Sequence, residues 1–132
     1  MSPCTQHVLQ SITNFVLVTD LSLAGMRDGL RYLSVQPGIN ASCQTVLCAN
    51  RVGEYRQGEI GRAEFEAAVG RPIDFCIPFD AKSVAAAVNV GQPVAGGNSK
   101  VASGLHELAE RLCGGSGPAP SRFALWPLRR RR

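Results

Sequence analysis

Three short apolar runs stand out against a polar background: Phe15-Val16-Leu17-Val18-Thr19, Thr45-Val46-Leu47-Cys48-Ala49 and Ile73-Asp74-Phe75-Cys76-Ile77-Pro78. Each is stopped by polar residues: Asp20, Asn50-Arg51 and Asp80 respectively. Runs of this length and composition read as strands of the fully buried kind. Helical spacing fills the intervals. Ser2-Pro3 starts a first helix with Val8, Leu9 and Ile12 on one face, ending near Thr13-Asn14. Ser22 caps a second, in which Leu23, Met26, Leu30 and Leu33 recur at helical spacing until Gln36-Pro37-Gly38 stops it. A polar loop from Glu54 to Gly58 precedes a third helix over Arg62–Val69, broken by Gly70-Arg71-Pro72. Asp80 caps a helix over Ala81–Asn89 whose Ala and Val content predicts packing on the sheet. Asn98 caps the last helix, striped by Val101, Leu105, Leu108 and Leu112 and ended by Gly114-Gly115.

Strands alternating with helices predict an α/β fold with a partial, mostly parallel sheet and flanking helices. Right-handed crossovers put the polar strand ends on one edge. Three strands of the buried type leave open sheet edges, so the pattern reads as part of a larger sheet. In open α/β sheets, ligands bind at the carboxyl ends of the strands. That address holds Asn50 and Arg51 after the second strand, and Pro78, Phe79 and Asp80 after the third.

Composition adds limits. The 132 residues, 45% hydrophobic and 18% charged, suit one domain with a modest core. The reading places that domain over residues 1–113, with a flexible basic tail over 114–132. No apolar run approaches the roughly twenty residues that span a bilayer, and the first ten residues lack a secretory pattern. The net charge of +4 comes from the tail: five of the fourteen basic residues, Arg122 and Arg129 to Arg132, lie there without an acid. Nine basic groups against ten acidic ones remain in the body. Disorder is the default reading of the tail. Contact with anionic lipid through Arg129 to Arg132, with Phe123 and Trp126 as interfacial anchors, ranks second. Nucleic acid ranks last. Five cysteines without a C-x-x-C pair, and only His7 and His106, give no zinc constellation. Reduced thiols fit a cytoplasmic protein.

Several segments together are similar to one family. Val16-Leu-Val-Thr-Asp-Leu-Ser-Leu-Ala-Gly-Met-Arg-Asp28 resembles the segment after the Walker B region of the CpaE-type pilus-assembly ATPases. So do Ala49-Asn50-Arg51 paired with Arg71-Pro72-Ile-Asp-Phe-Cys-Ile-Pro78-Phe-Asp80, and Ala87-Val-Asn-Val-Gly-Gln-Pro93. These belong to the MinD/ParA group of deviant-Walker P-loop ATPases and serve assembly of Flp (tight-adherence) pili. The resemblance runs from about Ser2 to Leu112. It implies the C-terminal half of the MinD/ParA fold, pilus-assembly partners, a homodimer, and a cytoplasmic place peripheral to the inner membrane.

The resemblance also implies ATP with Mg as cofactor, in a site completed by an N-terminal half. Asn50 maps onto the adenine contact of the group, and an amide offers a purine edge both donor and acceptor. Arg51, Pro78, Phe79 and Asp80 border the base. Read without the family, Asn50 is a turn residue bonding its own backbone, Arg51 an ion-pairing residue and Asp80 a helix cap. The sequence departs from the group where catalysis is concerned. It has no G-x-x-x-x-G-K-[ST], and Ala95-Gly96-Gly97-Asn98-Ser99-Lys100 has the wrong second glycine and order. The expectation is a fragment that contributes the adenine side and hydrolyses no ATP alone. The alternative is a non-catalytic interaction module in pilus assembly or polar localisation.

Overall fold

The computed structural model describes residues 2–55 and 57–114. The predicted basic tail beyond 114 lies outside them. Elements follow in the order α1 (Pro3–Ser11), β1 (Asn14–Thr19), α2 (Leu23–Ile39), β2 (Gln44–Val52), α3 (Arg62–Val69), β3 (Phe75–Pro78), α4 (Ala81–Asn89), a 3-10 turn (Val94–Gly96) and α5 (Lys100–Leu112). The three strands form a parallel sheet in the order β1-β2-β3.

Alternation along β2 builds the core on both faces. Leu47 and Ala49 point to the side of α2 and α3, where they pack with Leu21, Phe65, Val69 and Ile73. Val46 and Cys48 point to the opposite side and join Phe75, Ile77 and Val101 of α5. Leu47, Cys48 and Ala49 are completely buried, so β2 is the spine of the molecule. Burial of a leucine side chain such as Leu47 contributes roughly 2 kcal/mol.

Four expectations are corrected. Helix α2 does not stop at Gln36-Pro37-Gly38 but runs to Ile39 with Pro37 inside its last turn. Buried Gln36 holds that turn by donating to the Asn40 carbonyl (3.0 Å) and accepting from the Thr45 hydroxyl (3.1 Å). Asn40 in turn donates to the carbonyls of Leu9, Gln10 and Ile12, which ties α1 to the end of α2. Strand β3 starts at Phe75 rather than Ile73, because Asp74 uses its side chain where a strand would use its backbone. Its Oδ2 accepts the Leu47 N–H at 2.8 Å while its own N–H donates to the Leu47 carbonyl at 2.9 Å. The cap of α5 is Ser99, whose Oγ accepts from Ala102 N–H, and not Asn98. Finally, α4 buries none of its residues, and its Val84 and Val88 remain exposed.

The outward positions of α2 differ likewise: Met26 and Leu33 pack on the core, whereas Leu23 and Leu30 are exposed. One glycine there is required by close approach. A Cβ at Gly25 would lie 2.5 Å from the Asp20 carbonyl and 2.6 Å from Thr19 Oγ1. Ser22 completes this corner, donating from Oγ to Asp20 Oδ1 (2.6 Å) and accepting from Gly25 N–H (3.0 Å). Asp20 is therefore part of a helix-start turn.

Candidate functional site

The site is built on a bulge. β2 does not end at Asn50-Arg51, as the polar step predicts, but continues to Val52. Ala49 pairs with Cys76 and Val52 with Pro78, so Asn50 and Arg51 together oppose the single residue Ile77. Two residues against one is the signature of a β-bulge, which bends the strand and re-aims its side chains. Arg51 takes the left-handed conformation at φ 58°, uncommon for a residue with a side chain. Three contacts hold it there. Its backbone N–H donates to Asn50 Oδ1 (2.9 Å), its guanidinium pairs with the Glu54 carboxylate, and the guanidinium stands over the Phe79 ring. The Glu54 hydrogen bond raises the Arg51 pKa above its ordinary value.

The loop beyond is fastened as well. Gly53, at φ 87°, donates its N–H to Glu59 Oε1 (2.8 Å), and Phe79 N–H donates to the Val52 carbonyl (2.9 Å). Asp80 caps α4 by accepting from the Ser83 N–H (3.0 Å) and hydroxyl (2.6 Å). Those bonds, the hydroxyl first, hold its carboxyl below the usual range. Asp80 is thus a helix cap, and Asn50 does bond the neighbouring backbone as a turn residue would.

Asn50, Arg51, Pro78, Phe79 and Asp80 all line one hollow of about 760 Å³ over the carboxyl ends of β2 and β3. Its walls are apolar: Val18 of β1, Cys48, Ile77, Val84 and Val88 of α4, and Leu105 of α5 are among them. The volume lies in the range of small-molecule sites, as does an apolar wall with a few polar groups at one end. Among the described residues no hydrogen bond uses the Asn50 Nδ2, and Oδ1 keeps its second lone pair. One donor and one acceptor are therefore available to a planar heteroaromatic edge.

Two acids that sequence reasoning missed, Glu54 and Glu59, anchor the bulge and its loop. Their spacing after Arg51 and Gly53 in a loop was the only signal. The cysteines offer no nucleophile here. Burial pushes the Cys48 thiol up to about 11, helped by Cys76 and Asp74, and burial raises Cys76 too. All five are free. Among the described residues no cluster of three or more His, Cys, Asp or Glu is arranged to hold a metal, and no helix is long and apolar enough to cross a membrane.

No family model and no curated protein matches the sequence. Solved structures do. MinD in the MinC:MinD cell division complex of Aquifex aeolicus superposes with TM-score 0.71 at 19% identity, over 89% of this chain and 50% of that one. A ParA family ATPase from Chlorobium tepidum TLS gives TM-score 0.67 at 25% identity, over 80% and 43%. The fold is that of the MinD/ParA ATPases. The MinD of Pyrococcus horikoshii OT3 bound to Mg-ADP also matches, with TM-score 0.62 at 21% identity, over 77% and 43%. The chain thus spans about half the length of the MinD/ParA structures it matches.

Proposed function

We propose that this chain forms the base-side half of a nucleotide site in a MinD/ParA-type ATPase of the CpaE kind, serving assembly of Flp pili. The observation that carries the reading is the convergence of Asn50, Arg51, Pro78, Phe79 and Asp80 on one hollow at the strand ends. The residues fit a base: Phe79 and Pro78 offer apolar surface, and Asn50 offers a donor and an acceptor. They do not fit a triphosphate. The sequence has no glycine-rich loop with a lysine, which in this chemistry cradles the phosphates and helps to hold Mg.

ATP and Mg then belong to a site completed by a phosphate-side half, and the chain alone hydrolyses no ATP. Electrostatic stabilisation of the transferring phosphoryl group is nearly all of the catalysis in this reaction class, and it resides in the parts absent from this sequence. Pilus-assembly proteins are the partners under this reading, at the cytoplasmic face of the inner membrane, with the basic tail beyond 114 as a lipid contact. A base-side half site should discriminate nucleosides without help from phosphates. Titration of the chain with adenosine and guanosine, with and without Asn50→Ala, tests this.

A further inference from the structure

Arg51, at φ 58°, is the one residue other than glycine with a positive φ among the described residues. A left-handed residue with a side chain persists only where its surroundings over-determine it, and such outliers gather at ligand clamps. Two backbone contacts close the turn around it. The Arg51 N–H donates to Asn50 Oδ1 (2.9 Å), and the Glu54 N–H donates to the Arg51 carbonyl (3.1 Å). Neither of them holds the Arg51 side chain.

The Glu54 carboxylate does. It pairs with the Arg51 guanidinium, and the pair is lopsided: the Glu54 side chain is 13% exposed and that of Arg51 56%. A sheltered carboxylate is screened less by salt than a surface one, and a charge-assisted hydrogen bond to it is a strong anchor. The anchored guanidinium stands over the Phe79 ring. Asn50, Arg51 and Phe79 all line the hollow at the strand ends, whereas Glu54 does not. Every group in this arrangement lies between Asn50 and Phe79, so it is complete within this chain.

We infer that Glu54 is a positioning residue for base recognition: by holding Arg51 left-handed it fixes the bulge that orients the Asn50 amide at the hollow. The inference rests on the nucleotide reading and names a residue outside the hollow on which that reading depends. The route is short. Asn50 Oδ1 accepts the Arg51 N–H, so the orientation of the amide follows the backbone of Arg51. Without the Glu54 carboxylate, residue 51 returns to the commoner negative φ, that bond is lost, and the Asn50 side chain turns among its rotamers. Binding a base then has to restore the left-handed turn. Apparent affinity falls by the fraction of chains that hold it.

Adenosine titration of the full chain, followed by amide NMR, tests it in the wild type, Glu54→Ala, Arg51→Gly and the double variant. Glu54→Ala should weaken adenosine binding about tenfold and move the backbone shifts of Arg51 away from left-handed values, with an unchanged far-UV circular dichroism spectrum. Glu54→Gln keeps the shape without the charge and should show a smaller loss in the same direction. Glycine takes a positive φ without strain, so in the Arg51→Gly background Glu54→Ala should cost nothing further. A merely structural Glu54 would lower the urea midpoint and leave the adenosine affinity of the folded chain alone. Unchanged affinity in both Glu54 variants therefore overturns the inference, as does a Glu54→Ala loss that persists undiminished in Arg51→Gly. A wild type whose Asn50 amide does not respond to adenosine contradicts the nucleotide reading itself, and the inference falls with it.

Discussion

The Arg51 guanidinium lies 5.9 Å from the centroid of the Phe79 ring, so the bulge of β2 meets the residue that follows β3. That separation is within the reach of a cation–π contact, and it fixes an aromatic ring at the rim of the hollow. Stacking on such a ring is tolerant of base identity, because every base has a π face. Phe79→Ala should weaken adenosine and guanosine binding by a similar factor, about tenfold, from a stacking contribution of about 1–3 kcal/mol. Nucleoside titrations followed by NMR measure both factors; a loss confined to adenosine contradicts the stacking role.

Asp74 stitches β3 to β2 through the buried Leu47, accepting its N–H and donating to its carbonyl. Arg71 leans on the same carboxylate at 3.2 Å and donates to the Thr45 carbonyl at 2.8 Å. Its Nε is already buried without a partner among the described residues. Asp74→Ala leaves the Leu47 N–H unsatisfied and should destabilise the fold by about 1–3 kcal/mol. Asp74→Asn keeps an acceptor and should cost less. Urea denaturation gives the order; equal effects of the two substitutions would show that the acceptor is not what matters.

The three strands and their order along the chain are legible because short apolar runs with abrupt polar stops admit few other structures, but the polar step at Asn50-Arg51 is a bulge inside β2 and not its end. The helix ends were less so. Asn40 reaches back about thirty residues to the carbonyls of α1, and no local pattern announces a bond of that range. Gln36-Pro37-Gly38 reads as a helix stop, yet the buried Gln36 side chain holds the last turn together. At Ser99 two cap-forming residues stand side by side, and only the geometry chooses. The bulge that aims Asn50 and Arg51 was invisible, since it follows from the register of β2 against β3. The exposure of α4 is not legible, because an Ala-Val face is apolar whether or not anything covers it.

Glu66 links stability to pH. Burial pushes its carboxyl up, but the Ile73 N–H (2.8 Å) and the Arg62 guanidinium (2.8 Å) outweigh it, and the net direction is below the ordinary 4.5. A carboxylate with a depressed folded-state pKa contributes stability that is present above its unfolded value and lost as pH falls through the folded one. The wild-type urea midpoint should therefore fall between about pH 5 and about pH 3. In Glu66→Gln that part of the fall should be missing. A variant whose midpoint tracks the wild type across the window would remove Glu66 from this role.

The central claim is that the hollow at the ends of β2 and β3 recognises a base through Asn50. Amide NMR spectra of the chain, titrated with adenosine and separately with guanosine, test it most directly. Adenosine presents a donor and an acceptor side by side, which match the Asn50 Oδ1 lone pair and the Nδ2 donor. The account predicts that adenosine perturbs Asn50, Arg51, Phe79 and Asp80 more strongly than guanosine does. In Asn50→Ala, adenosine affinity should fall by about 1–3 kcal/mol, roughly one to two decades, and the preference over guanosine should vanish. Perturbations centred elsewhere in the molecule, or an adenosine preference unchanged in Asn50→Ala, would contradict it.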